Sequence, residues 1–317
     1  MRPCRPQHAR RSTLILAGLG LALIWTLGAG TFPVAGAAKI RVVASTADLK
    51  VLTEAVGADL VEVDSLARGN QNPHDLEIRP SQMVKLRRAD LVVLNGLELD
   101  GWAEVAIQGA NNPRLIPGAS GRVDASIGIP VLEVPAGKMD RSMGDVHPAG
   151  NPHYTLDPGM APIITTNIVD GLARVAPEQR AVFEQGRQAF LAKLEPAMTA
   201  WAQTMAPFKG AKLVVDHSQW NYFFARYGLV LAGTVEERPG IPPAPGHLVR
   251  LAAQMKADGV KALILEPWGD RKLADRLAAD TGARVVPLAP GAGAVKGTET
   301  YLDWMAYNVN TLAQALR

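Results

Sequence analysis

Apolar positions in this chain fall into short unbroken runs, separated by longer stretches that repeat with a helical period. Lys39-Ile40-Arg41-Val42-Val43-Ala44 predicts a first strand, Leu60-Val61-Glu62-Val63 a second, and Leu91-Val92-Val93-Leu94, closed by Asn95-Gly96, a third. A continuous apolar run that stops at a turn suits a strand of a parallel sheet covered on both faces. Before the third strand, Ser81 is placed to cap a short helix over 81–88, with Met83, Val84 and Leu86 for its buried side. Residues 111–152 are rich in Gly and Pro and support no firm element. Strands alternating with helical stretches give an α/β fold.

The pattern then changes. Phe183, Phe190, Leu194, Met198, Trp201 and Met205 follow one another at steps of seven, four, four, three and four, which is one face of a helix. Pro177 suits a first turn, Pro207 a stop, and Pro196 a kink near the middle. Thirty or so helical residues reach roughly 45 Å, longer than one small domain. This stretch predicts a rigid spine between two domains.

Beyond it the alternation resumes. Leu213-Val214-Val215 reads as a strand, and Trp220, Phe223, Phe224 and Tyr227 supply the buried side of the next helix. A proline-rich loop at 239–245 precedes a helix over 247–257 and the strand Ala262-Leu263-Ile264-Leu265, which stops at Glu266-Pro267. A helix over 272–280, a strand over 284–288 and a closing helix with Tyr301, Trp304, Met305, Leu312 and Leu316 complete the chain. The expected organisation is an export signal at 1–37, an α/β domain at 38–174, the spine at 175–207 and a second, similar α/β domain at 208–317.

Composition changes the picture at the N-terminus. Arg2, Arg5, Arg10 and Arg11 precede a 14-residue apolar run, and Ala35-Gly36-Ala37 offers a cleavage site. The run is short of the about 20 residues a membrane span needs. A cleaved secretory signal is expected, with mature chain from about Ala38 and a periplasmic destination. The sole cysteine, Cys4, lies inside this signal and away from the cleavage site, so no lipid anchor, disulfide or thiolate ligand is expected. Without the signal's four arginines the chain holds 29 basic and 30 acidic residues, a net charge of −1. A nucleic-acid partner, which calls for a basic excess, is excluded.

Candidate chemistry rests on three histidines. Asn72-Pro73-His74 and Asn151-Pro152-His153 repeat a triplet, and His217 ends the run Lys212-Leu213-Val214-Val215-Asp216. Each is expected at the mouth of a strand, where open α/β sheets gather ligands. Proline fixes its own φ and restricts the residue before it, which limits the ordering cost of binding. Neutral imidazoles brought together from distant segments bind a transition metal, zinc in particular. His8 belongs to the signal and His247 to a helix start, whereas His147 lies near His153 and can touch the metal transiently. Asp75, Asp157, Glu236 and Glu237 read as solvated or structural acids. His-Glu-x-x-His, Gly-x-Ser-x-Gly and Gly-Lys-Ser/Thr patterns are missing, and Gly291-Ala292-Gly293-Ala294 lacks the lysine and hydroxyl of a phosphate loop.

Through Pro73-His74-Asp75 with Arg79-Pro80-Ser81, Asn151-Pro152-His153 with Leu156-Asp157-Pro158, and His217 before Tyr222-Phe223, the mature chain resembles the periplasmic solute-binding proteins of zinc and manganese ABC importers. The resemblance implies a receptor that captures a divalent metal ion and hands it to a membrane permease. It implies ligands at His74, His153 and His217, with histidine at the third place similar to the zinc branch. Two departures stand out. Such proteins usually carry an aspartate after the last strand, where this chain has Leu288-Ala289-Pro290. Many zinc receptors also carry a histidine-rich loop, and 133–150 holds only His147. Glu266, ending the neighbouring predicted strand, is the expected fourth ligand, with Asp270 or water as alternatives.

The expectation is therefore a monomeric periplasmic zinc receptor of an ABC importer, not an enzyme. A manganese or iron receptor of the same fold is the first alternative. The second is a secreted zinc hydrolase, for which three histidines and an open position provide a precedent.

Overall fold

The computed structural model describes residues 38–137, 147–238 and 240–317. The export signal expected at 1–37 lies outside them. In the first lobe β1 (Ile40–Ala44), α1 (Ala47–Gly57), β2 (Val61–Ser65), α2 (Pro80–Arg88), β3 (Leu91–Leu94), α3 (Gly101–Ala110), β4 (Arg122–Asp124) and α4 (Ala161–Val175) follow in order. The long helix α5 (Arg180–Met205) comes next. The second lobe holds β5 (Lys212–Val215), α6 (Asn221–Tyr227), β6 (Val230–Thr234), α7 (Pro245–Asp258), β7 (Ala262–Leu265), α8 (Arg271–Thr281), β8 (Arg284–Pro287) and α9 (Tyr301–Leu316).

The two sheets share one plan. Both have four parallel strands, in the orders β2-β1-β3-β4 and β6-β5-β7-β8. Val42 of β1 sits opposite Val63 of β2 and Leu91 of β3, and Leu213 of β5 opposite Leu231 of β6 and Ala262 of β7. In each sheet the strand order reverses beside the first strand. The crevices beyond β1/β3 and β5/β7 are thus the places where an open parallel sheet accepts a ligand.

The α/β prediction holds, and several boundaries move. Pro80, not Ser81, opens α2, because Arg79 is the N-cap and its amide donates to Gln82 Oε1 at 2.7 Å. Pro196 lies inside α5, while Pro177 and Pro207 fall in the single 3₁₀ turns that flank it, Pro177–Gln179 and Ala206–Phe208. The 26 residues of α5 span roughly 39 Å. The pattern reading leaves α1, α3, β4, α4 and β6 without an assignment.

One hydrophobic core runs through both lobes. Phe183, Phe190, Leu194, Trp201 and Met205 of α5 join Leu49 and Leu52 of α1, Ile164 and Ile168 of α4, and Trp304 and Val309 of α9 in a single buried cluster. Helix α5 packs against α1, α4 and α9. Removing the ring of buried Phe183 would cost about 3–5 kcal/mol. Separate clusters fill the far faces, beneath α2 and α3 in the first lobe and beneath α7 and α8 in the second. Among the described residues, no helix is long and apolar enough to cross a membrane.

Candidate metal centre

His217 lies two residues past the end of β5. The Asp216 amide still donates to Ile264 of β7, and the Glu236 amide to the Asp216 carbonyl, so the chain leaving β6 runs beside the chain leaving β5. That juxtaposition brings Glu236 Oε2 to 2.9 Å from His217 Nδ1. The Gly240 amide donates to the same oxygen at 3.0 Å. Partial burial works against the Glu236 charge, but the bonds from His217 and Gly240 outweigh it and hold the carboxyl below the usual glutamate range. A carboxylate on Nδ1 keeps the proton there and leaves Nε2 as the free donor atom.

The two Asn-Pro-His triplets are built alike. Asn72 Oδ1 accepts from the His74 amide at 3.0 Å, and Asn151 Oδ1 from the His153 amide at 2.9 Å. Each asparagine thus closes a local turn over its proline. Each proline carbonyl is also held: Pro73 by Trp102 Nε1 at 2.8 Å and Pro152 by Asn95 Nδ2 at 3.0 Å. Asn95 follows β3, so the His153 segment lies against the crevice of the first sheet. It is fastened equally to the second lobe. Tyr222 donates to the Asn151 carbonyl, Tyr301 to the Thr155 carbonyl, and Arg226 forks onto Asp157 at 2.5 and 2.9 Å. Only His217 stands close beyond a strand end, two residues after β5. His74 and His153 stand on irregular loops, which corrects the expectation that all three sit at strand mouths.

These segments converge. His74 Nε2 lies 3.1 Å from His153 Nε2, and one nitrogen from each of His74, His153 and His217 falls within 4.8 Å of the others. Nitrogens placed tetrahedrally around zinc at about 2.0–2.1 Å are about 3.4 Å apart, so small rotations suffice to close the trio on an ion. His153 and His217 are 6% and 8% exposed. Burial, followed by the neighbouring imidazoles, holds His74 and His153 well below the ordinary histidine range. Both are neutral at pH 7, as a metal ligand must be. His147 Nε2 is 3.2 Å from His74 Nδ1 and outside the trio, its ring pushed down to about 4 by burial and then by His217.

Glu266 does not join them. It ends β7 as expected and is 2% exposed, but Gln219 Nε2 and Trp220 Nε1 both donate to its Oε1, at 2.7 and 2.6 Å. These two bonds occupy Oε1, while Oε2 is buried with no hydrogen-bond partner, and Glu266 falls outside the imidazole trio. Burial, with nearby Asp216 adding to it, pushes Glu266 up to about 7. Asp270 caps α8, accepting from the Leu273 amide. Ala289 is buried, its amide and carbonyl tied to Asn308 and Trp304. His247 bonds the Thr234 carbonyl, and Glu237 pairs with Arg250. Glu236, read from the sequence only as a solvated or structural acid, proves to be the carboxylate behind His217, and nothing short of the β5–β6 pairing places it there.

Two parallel-sheet lobes on one long helix, with an imidazole trio gathered from both, define a metal-binding receptor. A family model described as zinc-uptake complex component A, periplasmic (ZnuA) matches residues 42–315, and the chain belongs to that family, the substrate-binding proteins of ABC importers. The chain is 25% identical over 285 residues to the high-affinity zinc uptake system protein ZnuA of Bacillus subtilis, covering 88% of each. It is 24% identical over 317 residues to the iron ABC transporter substrate-binding lipoprotein MtsA of Streptococcus pyogenes, covering 97% of this chain and 99% of that one. A crystal structure of ZnuA superposes with a TM-score of 0.70 at 27% identity, over 87% of this chain and 97% of that one.

Proposed function

We propose that the chain binds one zinc ion through His74, His153 and His217 and delivers it to the membrane permease of an ABC importer. The convergence of three imidazole nitrogens within 4.8 Å, from segments of both lobes, carries this reading. An all-nitrogen donor set suits zinc, whereas manganese favours carboxylate and carbonyl oxygen. Water takes the fourth position, since Glu266 lies outside the trio and its Oε1 is taken by Trp220 and Gln219. The role is capture rather than catalysis: Glu236, the carboxylate that touches the trio, is spent on His217 and Gly240 and is not free to act as a base. The receptor works in the periplasm as an unlipidated monomer.

Competition with a chelating dye tests this. One zinc should bind per chain, and manganese and ferrous iron should compete poorly at equal concentration. Zinc at 100-fold over its dissociation constant should stabilise the fold by ~2.7 kcal/mol. A melting temperature indifferent to zinc at neutral pH overturns the proposal.

A further inference from the structure

Glu133 holds an uncommon backbone conformation beside the site. Its φ is 55°, in the left-handed region, where a residue other than glycine persists only if its surroundings enforce it. Both carboxylate oxygens are engaged. Oε2 accepts from Asn151 Nδ2 at 2.8 Å and Oε1 accepts from Asn221 Nδ2. Asn221 opens α6 in the second lobe, four residues after His217. Asn151 opens the triplet that presents His153, and its Nδ2 donates as well to the Ser218 carbonyl at 3.3 Å.

The surrounding backbone is stitched to match. The Asn151 amide donates to the Leu132 carbonyl at 2.8 Å, and the Leu132 amide to Tyr222 Oη at 3.0 Å. Gly150 has φ 102°, and a Cβ there would run into Val131, Val134 and the Leu132 carbonyl. The two segments therefore meet too closely for any other residue at 150.

We infer that Glu133 is a positioning residue of the metal site, a latch whose carboxylate grips one asparagine from each lobe and so sets the spacing between His153 and His217. A carboxylate suits this place because it only accepts, and both partners are amide donors. Glutamine would turn its own NH₂ towards one of them. The inference rests on the metal-binding reading above.

Glu133→Gln keeps the size and removes the second acceptor. Glu133→Asn eases the left-handed backbone, which asparagine tolerates, but falls short of Asn221. Both variants should bind zinc about tenfold more weakly, through faster dissociation, as when support behind a metal ligand is lost. Asn221→Ala should do the same, and adding it to Glu133→Gln should cost no more. The melting temperature of the metal-free protein should not change. Hydrogen–deuterium exchange on metal-free protein gives an independent reading: Glu133→Gln should speed exchange in peptides covering 150–156 and 216–222 together. Zinc affinity equal to wild type, or faster exchange confined to 131–137, overturns the latch. Should the wild type itself bind no zinc, the metal reading fails, and the exchange pattern alone decides whether Glu133 ties the lobes.

Discussion

The two lobes are built on the same strand order, yet they serve the site differently. The first lobe offers two imidazoles on irregular loops, each steadied by an asparagine turn and by a neutral donor on its proline carbonyl. The second offers one imidazole at a strand end with a carboxylate bonded behind it. Asp216, Glu236 and Glu266 lie around that strand end, and burial, reinforced by Glu236 and then Asp270, pushes Asp216 up to about 6. The first lobe's imidazoles are thus backed by neutral groups and the second lobe's by a carboxylate. Three neutral imidazoles leave the double charge of zinc uncompensated, and Glu236 behind His217 supplies part of what the ligands lack.

Removing ligands should break the site whichever lobe they come from. His74→Ala, His153→Ala and His217→Ala should each weaken zinc by at least about a hundredfold in dye competition, beyond the loss typical of outer residues. If two of the three left affinity unchanged, the site would lie elsewhere. The asymmetry is sharpened by Glu236→Gln, which keeps the shape and removes the charge. Zinc affinity should fall tenfold to a hundredfold, while Asn72→Ala, on the neutral side, should cost less. Equal losses would erase the contrast.

Acid tests the burial of the first lobe's pair. Because folded His74 and His153 resist protonation, the unfolded chain binds more protons than the folded one below its own value of about 6.5. Metal-free stability should decline as pH falls from about 6.5 towards the depressed folded values. Zinc binding near pH 6.5 should therefore release no protons from these two ligands, and proton release from both on binding at that pH would show them to be ordinary imidazoles. The smallest effect on zinc is expected at Glu266. Its raised value makes the folded state bind more protons than the unfolded between about 4.5 and 7, so wild type loses stability as pH rises through that window. Relative to wild type, Glu266→Gln should gain on the order of 2–3 kcal/mol between pH 5 and pH 8. Its zinc affinity should stay within about threefold of wild type. A large loss of zinc would restore Glu266 as a ligand.

What could be read from the sequence was local. The repeated Asn-Pro-His triplets announce themselves because each is a turn closed within three residues. Strands β3 and β7 are four buried residues in a row and were located to the residue. Strand β4 is three residues with Val123 alone buried, too short for any period. Helix α4 is diluted by Ile163, Ile164, Thr165, Thr166, Ile168 and Val169, β-branched residues that lower helix propensity. The Glu236–His217 bond depends on strand pairing across 19 positions. The end of β7 located Glu266, but its orientation is set by Trp220 and Gln219, 46 and 47 positions away.

The core that passes unbroken through α5 has a thermodynamic consequence. With Phe183, Phe190, Trp201 and Met205 already packed against both lobes, closing on the ion has little apolar surface left to bury. Burial of apolar surface is what makes the heat capacity of binding negative. Calorimetric titrations of zinc at several temperatures should therefore give an enthalpy that is nearly flat with temperature, after correction for buffer protonation.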